Sequence, residues 1–184
     1  MKKEEFQISP MTKGYIQIYT GDGKGKTTAA LGLAMRAAGA GLRVYIGQFV
    51  KDMEYSEIAV IRARFPEIRV ELYGTEEGCI YGREADAEDR EAARRGLEKA
   101  HAAMLSGAYE LVILDELTIP VAFGVLPEEE VLAFMREKPE KVELVITGRR
   151  ATEKMTALAD LVTEMKEIRH YYRQGVLSRL GIEC

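Results

Sequence analysis

Lys26 and Thr27 close the run Thr20-Gly21-Asp22-Gly23-Lys24-Gly25-Lys26-Thr27-Thr28, and together they offer a cation and a hydroxyl to one anion. The run follows a strand-like segment, Tyr15-Ile16-Gln17-Ile18-Tyr19, and opens a helix-like one, Ala29 to Met35. Strand, glycine-rich loop, Gly-Lys-Thr and helix are the parts of a triphosphate-binding loop. Glycines let the backbone curl around an anion without Cβ clashes. The helix start adds unpaired N–H groups and the positive end of the helix dipole. Lys26 brings a mobile ammonium, and the Thr27 hydroxyl can ligate magnesium. The usual pattern has glycine five residues before the last glycine of the loop, and Thr20 stands in that place. Both Lys26 and Thr27 are expected at the surface of the loop, so that alanine at either position leaves the fold intact.

A second group of oxygens follows from Leu111-Val112-Ile113-Leu114-Asp115-Glu116, four apolar residues ending in two acids. Such an acidic strand end completes a nucleotide–magnesium site, because the ion wants hard oxygen ligands directly or through water. Arg36, Arg149 and Arg150 are further candidates for contact with phosphate. No serine or cysteine is matched to a histidine in a nucleophile–base motif. An enzyme built this way works by positioning ATP and stabilising a charged leaving group.

These residues need a frame. The chain has 184 residues, 47% of them hydrophobic and 30% charged, which suits one soluble domain with a substantial core. We read residues 1–13 as a short polar arm and 14–184 as a single nucleotide-binding domain. A net charge of −4 gives no general attraction to nucleic acid. No apolar run is long enough to cross a membrane, and Met1-Lys2-Lys3-Glu4-Glu5 lacks the apolar core of a signal peptide. Cys79 and Cys184 have no motif spacing, which fits free thiols and a cytoplasmic location. His101 and His170 are isolated; His101 lies in a helical pattern and reads as structural.

Apolar runs alternate with helical patterns. Strands are expected at 15–19, 44–50, 68–73, 111–115 and 142–147, with a weaker one at 161–165. Helices are expected at 26–40, 55–64 and 84–105, from Pro127 onward, and from Thr152 to Leu158. On the longest helix, Asp86–Arg90 and Glu91–Arg95 have i,i+4 spacing and suit a solvated face. The alternation predicts a three-layer α/β fold with a mainly parallel sheet. Ligands in such sheets bind at the carboxyl ends of strands. That rule aligns the Thr20 loop, Gln48–Lys51, Asp115-Glu116 and Thr147-Gly148-Arg149 along one rim.

With the rim in place, the chain resembles the ATP:corrinoid adenosyltransferases. The resemblance is carried by Thr20 to Ala30, Arg36-Ala37-Ala38-Gly39-Ala40-Gly41, Gln48-Phe49-Val50-Lys51 and Leu114-Asp115-Glu116-Leu117-Thr118. It continues through Ile146-Thr147-Gly148-Arg149, Arg169-His170-Tyr171-Tyr172, Gly175 and Gly181-Ile182-Glu183. It covers residues 14–184 in order. The loop with threonine first, with Gln-Phe-Val-Lys and Asp-Glu-Leu-Thr, is far more specific than a generic phosphate loop.

The resemblance implies a P-loop NTPase-like (RecA-like) fold and a reaction. Co(I) of a reduced corrinoid attacks the 5′-carbon of ATP, triphosphate leaves, and a cobalt–carbon bond forms. It implies that Thr20, Gly21, Asp22, Gly23, Lys24, Gly25, Lys26, Thr27, Thr28, Arg36 and Glu116 bind ATP. Lys26 and Glu116 would carry catalysis, and Thr27, Asp115 and Glu116 would hold Mg2+ or Mn2+. Asp22 stands where relatives often have asparagine. Cys79 and Tyr81 stand where relatives carry the phenylalanine and tryptophan of the corrin pocket. A homodimer and an electron-donating flavoprotein partner are also implied. Cobalamin, cobinamide and cobyrinic acid a,c-diamide remain open as the corrinoid. A P-loop ATPase or nucleotide switch acting with a partner is the alternative, and a non-catalytic corrinoid carrier is a third reading.

Overall fold

A computed structural model describes residues 10–50, 53–75 and 83–184. Its centre is a six-stranded, all-parallel sheet in the order β3-β2-β4-β5-β1-β6. The strands are β1 (Ile16–Thr20), β2 (Val44–Phe49), β3 (Ile68–Tyr73), β4 (Leu111–Asp115), β5 (Glu143–Thr147) and β6 (Leu161–Glu164). The helices are α1 (Lys26–Gly39), α2 (Ser56–Arg64), α3 (Ala87–Leu105), α4 (Thr118–Ala122), α5 (Glu128–Arg136) and α6 (Glu153–Leu158). None of the helices described is long and apolar enough to cross a membrane.

The period-2 geometry of the strands sorts each apolar run onto two faces. Leu111 and Ile113 of β4 join Val44, Ile46, Ile68 and Val70 under Ala30, Ala34 and Ala37 of α1 and Ile58 and Ile61 of α2. Val112 and Leu114 point the other way, toward Leu97 and Met104 of α3, Val131 and Met135 of α5 and Met155 of α6. The three expected layers are thus α1–α2, the sheet, and α3–α6. All six residues of β2 are buried, as befits an inner strand covered on both faces. The last strand, β6, is exposed throughout and lies at an edge.

Helix ends follow local chemistry. α1 stops in a Schellman arrangement: Gly41 takes φ +82°, its N–H reaches Ala38 O at 2.9 Å, and Leu42 N–H reaches Ala37 O at 3.0 Å. Thr152 caps α6 by accepting from Met155 N–H at 3.2 Å. α3 starts at Ala87, three residues later than the apolar periodicity implies, because Asp86 is its cap. The Asp86 carboxylate accepts from Asp89 N–H, while Asp89 accepts from Asp86 N–H, a reciprocal capping box. Asp86 therefore does not pair with Arg90 as the spacing suggests. Arg90 turns instead to the carbonyls of Gly124 (3.0 Å) and Ala85 (3.4 Å). α4 was hidden in the sequence within the apolar run after Glu116.

Asp89 also holds the chain on either side of residues 76–82. Thr75 Oγ1 donates to its Oδ1 at 3.1 Å, and Arg83 grips both oxygens at 2.6 and 2.8 Å. The Arg83 guanidinium, outweighing burial, brings the Asp89 carboxyl down to about 2. A carboxyl depressed on folding stabilises the protein above its ordinary titration range. That contribution is lost as pH falls through the folded value, here between about pH 4 and 2. We predict that Asp89→Asn costs about 2 kcal/mol at neutral pH and flattens this acid limb, measured by urea unfolding across pH. An unchanged pH dependence would contradict the clasp.

Candidate functional site

The order β4-β5-β1 makes the carboxyl ends of these three strands neighbours. There the loop Gly21–Gly25, the acids Asp115-Glu116 and the Thr147–Arg150 turn converge. Among the described residues, three non-glycine residues take left-handed backbone conformations, Val50 (φ 65°), Glu116 (φ 60°) and Arg150 (φ 60°). Each directly follows or lies just beyond a strand of this rim. Such conformations cost on the order of 1–3 kcal/mol and concentrate at functional sites.

A cleft of about 660 Å³ opens on the rim. Gly23 to Thr28, Glu116 and Arg149 line one part, and Leu31, Gly32, Met35, Tyr55–Glu57, His170 and Gly181–Cys184 line the rest. Lys26 is not the surface residue the sequence suggests. It is 6% exposed, and its ammonium donates to Gly21 O at 2.8 Å and Gly23 O at 2.7 Å. Burial lowers its pKa, while the carboxylates of Glu116, Asp22 and Asp115 act against that shift. Asp22 itself is exposed on the loop. Its carboxylate thus favours the charged form of Lys26, a role that the phosphate-loop pattern does not reveal.

The glycines of the loop serve the fold as well as a ligand. A Cβ on Gly21 would lie 2.5 Å from Met165 O, and one on Gly23 would lie 2.6 Å from the same atom. Gly23 N–H donates to that carbonyl at 2.6 Å, so the loop packs backbone to backbone on the segment after β6. Thr20, in the glycine place, accepts from Ala151 N–H at 3.2 Å through its hydroxyl. It ties the loop entry to the turn after β5.

Asp115 is 1% exposed and lies behind the cleft surface. Its Oδ1 accepts from Thr27 Oγ1 at 2.8 Å and Thr147 Oγ1 at 2.6 Å, and its Oδ2 accepts from Gln48 Nε2 at 3.0 Å. One carboxylate therefore ties α1, β2 and β5 to the end of β4. Because Thr27 donates its proton to Asp115, its oxygen lone pairs are left for a cation. Thr147 Oγ1 also accepts from Glu116 N–H at 3.0 Å, which fixes the left-handed backbone that presents Glu116 to the cleft. Among the described residues no group of three or more His, Cys, Asp or Glu forms a metal cage. A hydroxyl and one carboxylate beside a phosphate loop match Mg2+ chemistry, in which phosphates and water complete the coordination.

We predict that Thr147→Val, which keeps shape but removes both hydrogen bonds, destabilises the fold by about 1–3 kcal/mol. It also raises the Mg2+ concentration needed for half-maximal turnover, whereas Thr147→Ser restores both. Denaturant unfolding and a metal titration measure the two effects, and an unchanged metal requirement would contradict the role of this hydroxyl.

The other sequence candidates divide clearly. Lys24 reaches the cleft and donates to Ile182 O at 3.0 Å, so the final segment lies against the loop. Ser56 Oγ donates to Cys184 O at 3.2 Å on the same segment. Thr28 lines the cleft. Arg36 is not among the cleft-lining residues: it is exposed on α1 beside Met35, which is. Arg149 lines the cleft and its carbonyl accepts from Thr118 Oγ1 at 2.6 Å, while Arg150 stacks over Phe123 at 5.6 Å. Lys51, Cys79 and Tyr81 lie outside the described residues. The sequence reading gave no chemical task to Gln48, Thr147, Ser56 or His170, and of these Ser56 and His170 line the cleft. Their signal was positional only: Gln48 and Thr147 end strands of the rim. His101 is structural, bridging to Glu137 at 2.7 Å and set edge-on to Phe134.

A family model described as ATP:corrinoid adenosyltransferase BtuR/CobO/CobP matches residues 12–184. The corrinoid adenosyltransferase CobA of Salmonella typhimurium is 37% identical over 174 residues, covering 93% of this chain and 86% of that protein. A corrinoid adenosyltransferase of Escherichia coli is 34% identical over 172 residues, with 93% and 86% covered. An uncharacterised protein of Nostoc sp. is 36% identical over 189 residues, and the chain spans only 48% of its length. The chain belongs to the ATP:corrinoid adenosyltransferase family.

Proposed function

We propose that this protein transfers the 5′-deoxyadenosyl group of ATP to the Co(I) centre of a reduced corrinoid. Cobalt supplies the electron pair of the new cobalt–carbon bond and becomes formally Co(III). The C5′–O5′ bond breaks, and its electrons leave with triphosphate. The observation that carries this reading is where the site spends its polar groups. Lys26, the α1 amino end and Arg149 present positive charge and N–H groups to one cleft, where Thr27 leaves its oxygen lone pairs for a cation. Among the described residues no serine or cysteine is hydrogen-bonded to a histidine as nucleophile and base. A Co(I) nucleophile requires no deprotonation, so the protein's task is to orient ATP and stabilise the departing charge.

In this reading Gly21 to Thr28 cradle the triphosphate, with Lys26 moving from the loop carbonyls onto phosphate oxygens. Thr27 and Glu116 hold Mg2+, and Asp115 acts through Thr27. The ion, when bound, neutralises charge on the phosphates. Arg36, the residue after the cleft-lining Met35, is assigned to the nucleotide by its family position. Cys79 and Tyr81 are assigned to the corrin side. Residues 14–184 work as one domain in the cytoplasm, as a homodimer supplied with electrons by a flavoprotein.

Incubation with ATP, Mg2+ and chemically reduced cobalamin tests the proposal. The expected result is the absorbance of adenosylcobalamin, formed catalytically and abolished without ATP. Tight corrinoid binding with no new cobalt–carbon bond would identify a carrier and overturn it.

A further inference from the structure

A groove of about 890 Å³ lies away from the cleft along the outer edge of β3, lined among others by Phe65, Arg69, Val70, Leu72 and Lys99. Among the described residues β3 pairs with β2 alone and ends the sheet. Its backbone phase follows from Val44 N–H donating to Glu67 O and from the register Val44↔Ile68. In a parallel ladder this turns the N–H and C=O of residues 67, 69, 71 and 73 inward, toward β2. Those of Ile68, Val70 and Leu72 point outward, where an unpaired strand edge is a template for another strand.

The side chains along that edge read Ile68-Arg69-Val70-Glu71-Leu72, which is self-complementary about Val70. A two-fold axis at Val70 sets two copies antiparallel. Val70 then exchanges both of its hydrogen bonds with Val70 of the second copy, and Ile68 exchanges its own with Leu72 of that copy. Arg69 falls opposite Glu71 of the second copy in a non-hydrogen-bonded pair, where cross-strand side chains are closest. Edge charges of one sign would repel a second copy, whereas this pair of opposite charges attracts one. The partners can be exchanged without stranding a charge. Glu71 accepts from Arg69 at 2.7 Å and from Lys99 at 3.2 Å, so Lys99 keeps its hold when Arg69 turns across the axis.

We propose that β3 is the interface between two copies of this chain, joining their sheets into one through an antiparallel β3–β3 ladder centred on Val70. The proposal specifies the surface of the homodimer and is independent of the transfer chemistry.

Its test is the mass in solution at about 10 µM by analytical ultracentrifugation. The wild type should sediment at twice the 20.6 kDa chain mass. Val70→Pro removes an outward N–H and trims a buried side chain but keeps the ladder to β2, so it should be a folded, less stable monomer with an unchanged far-ultraviolet spectrum. Should that variant fail to fold, charge reversal decides the matter. Arg69→Glu should weaken the dimer at least tenfold, because it sets like charges opposite each other, and the double change Arg69→Glu/Glu71→Arg should restore it. A monomeric wild type would overturn both the homodimer and its interface. A dimer that persists in folded Val70→Pro, or in Arg69→Glu with undiminished affinity, would overturn the interface alone.

Discussion

Lys26→Ala is expected to lower adenosyl transfer by about 10²–10³-fold, the usual loss when one charged or hydrogen-bonding group aimed at developing charge is removed from an active site. The argument begins with the neighbours of Lys26. Its ammonium is buried against the carbonyls of Gly21 and Gly23, with Glu116, Asp22 and Asp115 favouring its charged form. A cation kept charged inside a phosphate loop has its largest effect where negative charge appears, on the leaving triphosphate. The same contacts mean that the substitution is not silent for the fold, since two hydrogen bonds worth about 0.5–1.5 kcal/mol each disappear. Rapid-quench turnover at saturating ATP, beside a urea unfolding curve, separates the two effects. A variant that loses stability but keeps its rate would remove Lys26 from the mechanism.

Gly148→Ala should be nearly as damaging, for a steric reason. Gly148 has φ +136°, a conformation that side chains rarely adopt, and a Cβ there would lie 2.2 Å from Thr118 Oγ1. Thr118 Oγ1 holds the Arg149 carbonyl, and the same Cβ would lie 3.3 Å from Glu116 Cα and Oε2. Alanine must therefore displace the turn that carries Glu116 and Arg149. We expect at least about 2 kcal/mol of destabilisation. Because a misplacement near 1 Å at a reacting centre can cost about 10²-fold, turnover should fall by a similar factor. Gly39→Ala is the control: nothing lies within 4 Å of a Cβ at that helical position, so it should be neutral or stabilising by up to about 1 kcal/mol. Equal behaviour of the two variants would show that Gly148 is not under this constraint.

The sheet was legible because strands buried on both faces leave an unmistakable record. Val44–Phe49, apolar but for Gly47 and Gln48, and the apolar residues 111–114 are runs of this kind, and their ends placed Asp115 and the loop on one rim. What was not legible depends on contacts between distant segments. The burial of Lys26 comes from carbonyls that point inward only once Gly21 and Gly23 press on Met165. Asp115 looks like a metal ligand in one dimension. In three it is enclosed by Thr27, Thr147 and Gln48, so that its effect passes through Thr27. Arg36 adjoins Met35, which lines the cleft, but is not itself a lining residue, since successive residues of a helix with 3.6 residues per turn face different sides. α3 starts later than the periodicity implies because Asp86 accepts from Asp89 N–H as a cap, while Asp89 accepts from Asp86 N–H in return, and Arg90 is left to other partners. The final segment, with Lys24 on Ile182 and Ser56 on Cys184, has no local pattern that announces its docking.

The most direct measurement is the 31P spectrum of a reaction containing ATP, Mg2+ and reduced cobalamin. Cleavage at C5′–O5′ predicts triphosphate as the sole new phosphorus species, in step with adenosylcobalamin. ADP and orthophosphate in its place would mean that the loop cuts between phosphates, and would contradict the account.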